Sequence, residues 1–444
     1  MLIEFTVENY RSFAESATLS MVATKLTSRN KHLDENTLIT LPGQPELLTS
    51  AVVYGANASG KSSFIAALGF MRRFVLNSYQ GTEPMGAIDV ESFRLNPETV
   101  GKPSLFEIVF VDEGQRFRYG FEVDKEAVQS EWLFHVPNKV ETPLFEREGQ
   151  TVNAHGEFKK EASQLIERTR QNALLLSVAA QFNGKYSQRV TGWFRRMKVS
   201  RGVTDRSWRN FTERSLQSDK FRMQIVEFIK SLDLGIQDIK IEKGVRIVGH
   251  RTGQLPLEAL TDDTDRNVMG RAYETTEIRT LHSVYDSEGQ IVGTSAFDLY
   301  GDESDGTKKL FEIAGPLLDI LRSGHLLVAD ELDARLHPQL TRAIVSLFNS
   351  HTANPRQAQL LFATHDTNLL DKDLFRRDQI WFVEKNSKGA SNLYSLAEFR
   401  GVRNDKNYES GYIEGRYGAI PYLRLSDISA LFSSSEDDDA QAPE

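Results

Sequence analysis

Nine consecutive residues, Gly55-Ala56-Asn57-Ala58-Ser59-Gly60-Lys61-Ser62-Ser63, have the composition and spacing to wrap a chain of phosphates. The first eight fit the pattern G-x-x-x-x-G-K-[ST]. Gly55 and Gly60 stand where side chains would keep the backbone N–H groups from a polyphosphate. Asn57, Ser59 and Ser63 belong to the same cradle. Lys61 can reach the β- and γ-phosphates, and the Ser62 hydroxyl can ligate Mg²⁺. Far downstream, Leu326-Leu327-Val328-Ala329-Asp330-Glu331 is an apolar run that ends in two carboxylates. Asp330 can hold the Mg²⁺ through its water shell, and Glu331 can orient a water toward a γ-phosphate. A pair of acids says little alone, but after a phosphate loop it completes a site. Leu360-Leu361-Phe362-Ala363-Thr364-His365-Asp366 ends a third apolar run in a histidine.

These residues need elements to hold them. Ala51-Val52-Val53-Tyr54 reads as a buried strand feeding the loop, and Ser63-Phe64-Ile65-Ala66-Ala67-Leu68 as the helix after it, whose positive end adds to the phosphate site. At the N-terminus, Ile3, Phe5 and Val7 alternate with Glu4 and Thr6, predicting a strand with Ile3, Phe5 and Val7 on one face. Ala17–Ala23 reads as a second strand, and residues 24–50 as a loop or short hairpin. Leu105–Phe110 and Phe117–Val123 flank a turn at 112–115, with further short strands near 132–134 and 144–146. Residues 161–230 read as mostly helical, 236–241 as a strand, 249–276 as a mobile polar loop, and 278–297 as a second hairpin. An apolar helix is expected from Leu310 to Leu321. His337, before Pro338, reads as structural. The tail around Ser433–Asp439 is acidic and of low complexity, hence expected to be disordered.

The chain has 444 residues and no cysteine, so disulfides and thiolate metal sites are excluded, and a cytoplasmic setting is expected. No apolar run is long enough to span a membrane, and no signal peptide is expected at Met1–Phe5. The net charge of −9 argues against a general polyanion binder. Residues 184–230 run the other way, with twelve Lys/Arg against four Asp/Glu. There Trp193, Phe194, Trp208 and Phe211 are interleaved with Arg195, Arg196, Arg201, Arg206 and Arg209. Such a stretch suits nucleic acid, a protein partner, or a solvated face over buried aromatics, and composition leaves all three open.

Asn9-Tyr10-Arg11-Ser12-Phe13, followed by the phosphate loop, resembles the ABC-type heads of RecF, SMC and overcoming-lysogenization-defect proteins. The resemblance implies an α/β head with a mixed-sheet core and an antiparallel β subdomain, carrying a helical insertion, and it places Arg11 near the nucleotide. Glu303-Ser304-Asp305-Gly306-Thr307-Lys308-Lys309-Leu310 resembles the ABC signature. It implies that Ser304 and Gly306 meet the γ-phosphate bound by a second copy, although Asp305 stands where the usual pattern has glycine. Leu332-Asp333 resembles the D-loop, and His365 the switch histidine. The implied organisation is 1–160 and 236–400 as two halves of a head, 161–235 as a basic helical insertion, and 401–444 as a C-terminal segment.

With the late Gly415–Pro421, the whole is similar to AAA-type, ABC-like ATPases of bacterial abortive-infection and anti-phage operons, RloA-like in style. That resemblance implies ATP and Mg²⁺ as cofactors, ATP-driven pairing of two heads, and a separately encoded effector such as a nuclease. The residues after position 400 are too few for a nuclease domain. A RecF-like repair ATPase using residues 184–230 on DNA is the alternative, with a transporter subunit behind it. No residue pattern distinguishes ATP from GTP.

Overall fold

The computed structural model describes residues 1–28, 30–80, 86–137, 140–200, 206–232, 234–248, 253–255, 271–401 and 407–421. Arg201, the acidic tail and most of 249–276 therefore lie outside the described residues.

A six-stranded sheet runs through the centre in the order Lys198–Ser200, Leu326–Ala329, Gln359–Ala363, Ser50–Tyr54, Ile380–Lys385, Ser391–Ser395. The first five strands are parallel and the last is antiparallel. Its three middle strands are apolar on both faces because both faces are covered. Alternation then divides the side chains between two cores. Ala51, Val53, Val328, Leu361 and Ala363 pack with Phe64 and Leu68 of the helix Lys61–Asn77. Val52, Tyr54, Leu327, Leu360 and Phe362 pack with Leu310 and Leu317 of the helix Asp305–Ser323 and Ile344 of the helix Pro338–Phe348.

The first core is closed by a seven-stranded antiparallel sheet, in the order Thr151–Ala154, Thr142–Glu148, Val128–Val136, Gln115–Val123, Ser104–Asp112, Leu2–Glu8, Ala17–Ser20. The chain is thus α/β, with a mixed central sheet and a separate antiparallel one. The N-terminal strand departs from its expected faces. A register shift between Leu2 and Glu4 turns Leu2 toward Phe5 and Val7 in the main core, while Ile3 packs with Ile39, Leu47 and Val111. Residues 24–50 also hold more than a hairpin. Asn30 caps a helix over Lys31–Thr37 by accepting the His32 N–H at 3.1 Å, ahead of the short pair Leu38–Ile39 and Leu47–Leu48. A third, four-stranded sheet includes Ile236–Val248, Arg271–Tyr285 and Ile291–Asp298, so both hairpin arms extend beyond their expected ends.

The basic stretch packs into the two cores. Trp193 and Phe194, on the helix Lys185–Arg196, are buried in the first core, where Trp193 stacks on Phe110 at 4.4 Å. Trp208 is buried in the second core. Lys198–Ser200 forms the edge of the central sheet. These tryptophans are core residues, so they are not platforms for nucleobases. On the helix Lys185–Arg196 the aromatic face is buried and Arg195 is exposed.

The helix Arg206–Ser215 also repairs a defect in the helix Asp305–Ser323. Pro316 lacks an N–H, which leaves the carbonyl of Glu312 without its intrahelical donor. Thr212 supplies it. Its hydroxyl donates to the Glu312 carbonyl at 2.9 Å and accepts the Gly315 N–H at 3.1 Å. A Cβ on Gly315 would lie 2.8 Å from the Thr212 Cα, so only glycine permits this crossing. We expect Thr212→Val, which keeps the shape and removes both bonds, to cost about 1–3 kcal/mol. The measurement is a fall of about 1–3 °C in Tm, with Thr212→Ser recovering most of it.

Candidate nucleotide-binding site

The buried strand Ser50–Tyr54 delivers the chain into a loop whose conformation needs its glycines. Gly60 has φ +120°, and a Cβ there would lie 2.7 Å from the Ser12 hydroxyl and closer still to that of Ser391. A Cβ on Gly55 would run into the Val383 carbonyl. Three distant segments hold the loop from outside. The Ser391 hydroxyl donates to the Ser59 carbonyl, and the Ser391 N–H donates to the Ser12 carbonyl at 2.7 Å. Ser12, Val383 and Ser391 were not foreseen as site residues. Their partners lie hundreds of positions away in the sequence.

Lys61 is buried at the start of the helix Lys61–Asn77. Its ammonium donates to the carbonyls of Gly55 at 2.7 Å and Ala56 at 3.1 Å, and lies 3.5 Å from His365 Nδ1. Burial lowers its pKa to about 8, and the charges of Asp330, Glu331 and Asp333 pull the other way. The same crowding lowers the pKa of His365, first by burial and then by the Lys61 charge. At neutral pH the imidazole is therefore uncharged.

Asp330 follows the buried strand Leu326–Ala329 and lies beside the Ser62 hydroxyl. Burial pushes its pKa up, Ser62 opposes this, and neighbouring Glu331 adds to the rise. Its Oδ1 is buried without a hydrogen-bond partner. A hydroxyl beside a carboxylate with an unmet oxygen is the donor set that Mg²⁺ takes, so Ser62 and Asp330 fit that ion. Glu331 is held at φ +50°, a left-handed conformation that L residues rarely adopt. The Leu332 N–H donates to the Ala363 carbonyl at 3.3 Å, and the Ala334 N–H to the Glu331 carbonyl at 3.0 Å, which fixes that turn. The His365 N–H meets Asp333 Oδ2 at 3.4 Å. The strand ends of the central sheet thus bring Lys61, Ser62, Asp330, Glu331, Asp333 and His365 together.

The other anticipated residues sit differently. Arg11, at φ +50°, pairs through its guanidinium with Glu91 at 2.9 Å, beside the turn whose Ser12 touches the loop. Ser304 caps the helix Asp305–Ser323, its hydroxyl accepting the Thr307 N–H at 3.1 Å. Gly306 packs on the backbone of Arg335. Asp305 is held by Arg335 at 3.2 Å and Lys308 at 3.8 Å. His337 is structural, capping the helix Pro338–Phe348 through Nδ1, which accepts the Gln339 N–H at 3.2 Å.

The position of Lys61 has a pH consequence. A phosphate ligand needs the ammonium, so above pH 8 binding must also take up a proton. We expect affinity for a fluorescent ATP analogue to fall by up to about tenfold per pH unit above 8. Titration at several pH values checks this, and Lys61→Ala should lose both the affinity and its pH dependence.

Residues 50–371 match the family described as "AAA domain, putative AbiEii toxin, Type IV TA system". No curated protein matches the chain. Similar solved structures include the SMC head domain from Thermotoga maritima, at 12% identity and TM-score 0.37, over 89% of this chain and 98% of that one. The SmcHead bound to the C-winged helix domain of ScpA is similar at 13% identity and TM-score 0.39, over 89% and 97%. The Smc head with an extended coiled coil, bound to the C-terminal domain of ScpA derived from Pyrococcus furiosus, is similar at 12% and 0.38, over 89% and 96%. Likenesses this loose carry no argument about mechanism. The family match spans most of the chain and takes in the phosphate loop, Ser304–Gly306, Asp330, Glu331 and His365; the chain belongs to the AAA-domain family of putative AbiEii toxins of Type IV TA systems.

Proposed function

We propose that this chain is an Mg-ATP-dependent, ABC-type ATPase that works as a nucleotide-driven switch in bacterial anti-phage, abortive-infection defence. It pairs with a second copy when ATP is bound and governs a separately encoded effector, such as a nuclease, from within the cytoplasm. The observation that carries the reading is the unpartnered, buried Oδ1 of Asp330 beside Ser62, within the charge cluster of Lys61 and Glu331. The family description supports the defence setting. Among the described residues no helix is long and apolar enough to cross a membrane.

In this reading the loop from Gly55 to Ser63, with Asn57 and Ser59, wraps the phosphates through its backbone. Lys61 releases the Gly55 and Ala56 carbonyls and turns its ammonium to the β- and γ-phosphates. Ser62 and Asp330 would hold Mg²⁺, which neutralises phosphate charge when bound. Glu331 orients and polarises the attacking water, and neutral His365 donates a hydrogen bond to the γ-phosphate. Ser304 and Gly306 meet the γ-phosphate held by the second copy, and Arg11 lies at the rim. Hydrolysis releases the pair, so occupancy of the site becomes a conformational signal.

The RecF-like alternative needs free cations on residues 184–230. Several are already engaged within the chain: Arg189 and Arg196 with Asp112, Arg209 with Glu213, and Arg222 with Asp238. This favours the switch over a DNA-loading ATPase.

Glu331→Gln should lower the ATPase rate by about 10²–10⁴-fold. It should also hold a paired species in Mg-ATP, read as a doubled mass by light scattering. Unchanged mass in Mg-ATP overturns the pairing, and a rate strongly stimulated by duplex DNA at moderate salt moves the assignment to the repair class.

A further inference from the structure

Asp305 lies between Ser304 and Gly306, so its carboxylate accompanies the two residues that face the second copy's γ-phosphate in the reading above. A carboxylate beside a phosphate repels it unless a cation intervenes. The loop that follows Glu331 provides one. Arg335 reaches Asp305 Oδ2 at 3.2 Å, and Lys308 stands 3.8 Å from Oδ1. The backbone of Arg335 takes part as well. It adopts φ +65°, and its carbonyl lies so near Gly306 that a Cβ there would be 2.9 Å away. One residue thus touches the turn twice, through its carbonyl and through its guanidinium. At the other end of the same short loop, Glu331 is also held in a left-handed conformation.

We infer that Arg335 is a positioning residue for trans nucleotide recognition: it neutralises Asp305 and ties the Ser304–Gly306 turn to the loop that carries Glu331. The inference rests on the ATP-driven pairing proposed above. Both side chains are about half exposed, at 45% for Arg335 and 60% for Asp305. In a single chain such a pair adds little to stability. When a second copy covers the turn, water leaves and the same charges interact more strongly. A bare Asp305 would then oppose the incoming phosphate, and removing its charge would lift the opposition. This predicts rescue by a second deletion, a pattern that loss of a merely structural contact does not give.

The experiment measures the dissociation constant of the pair in Mg-ATP by analytical ultracentrifugation, with Glu331→Gln as the parent. Arg335→Ala should weaken pairing about tenfold. Arg335→Ala combined with Asp305→Asn should return to within about twofold of the parent, while every variant binds a fluorescent ATP analogue as the parent does, because the Lys61 loop is untouched. The inference is overturned if Arg335→Ala pairs like the parent, or if Asp305→Asn fails to rescue it. If the parent itself does not pair in Mg-ATP, the pairing reading falls and the inference falls with it. A parent that pairs, with variants that do not differ, overturns the inference alone.

Discussion

A buried ammonium sets the terms for the rest of this molecule. Lys61 is nearly removed from water, and its charge is met by two loop carbonyls and by carboxylates that follow the one strand Leu326–Ala329. Taking a cation out of water is costly, which is why its pKa falls. It stays charged near neutral pH because Asp330, Glu331 and Asp333 converge on it. Those carboxylates are costly to bury together, and burial and Glu331 push the Asp330 pKa up. The cation and the carboxylates offset one another's burial, so the loop and the strand Leu326–Ala329 must end at one point, and His365 at the end of the strand Gln359–Ala363 closes beside them.

The two cores satisfy that demand. Because Ser50–Tyr54, Leu326–Ala329 and Gln359–Ala363 are covered on both faces, their relative registers are held by packing on either side. The helix Lys61–Asn77 packs on one face and the helix Asp305–Ser323 on the other. Elements on opposite faces therefore share a rigid middle layer. Thr212, reaching from the basic stretch, satisfies the carbonyl that Pro316 leaves open and seats its helix against Gly315. The stretch that composition marks as basic is thus part of what holds the helix Asp305–Ser323. Its tryptophans are spent in the two cores.

Left-handed residues mark where the site departs from regular structure. Arg11, Ala58, Glu331 and Arg335 all have positive φ without being glycine. Such conformations persist where neighbours over-determine them, and here they bracket the site residues. Glu331 and Arg335 frame a single loop that contacts the Ala363 strand end at one side and Gly306 at the other.

Much of this was legible in the residues themselves. The phosphate loop, the acid pair at 330–331 and the histidine at 365 each follow an apolar run, so local pattern sufficed to name them and to place them at strand ends. The hairpins around 112–115 and 286–289 were legible because turn residues separate alternating runs. The pattern failed where packing was decided at a distance. Ile3 leaves its expected face because of a register shift against Ser104–Asp112, and Trp193 and Trp208 vanish into cores assembled from remote strands. Ser391 presses on Gly60, and Arg335 screens Asp305, with no local signal for either contact. Sequence by itself determined which residues can do phosphate chemistry, because that depends on residue type and short spacing. Tertiary structure alone decided what surrounds them, because a contact between distant segments depends on how both faces of the central sheet are filled.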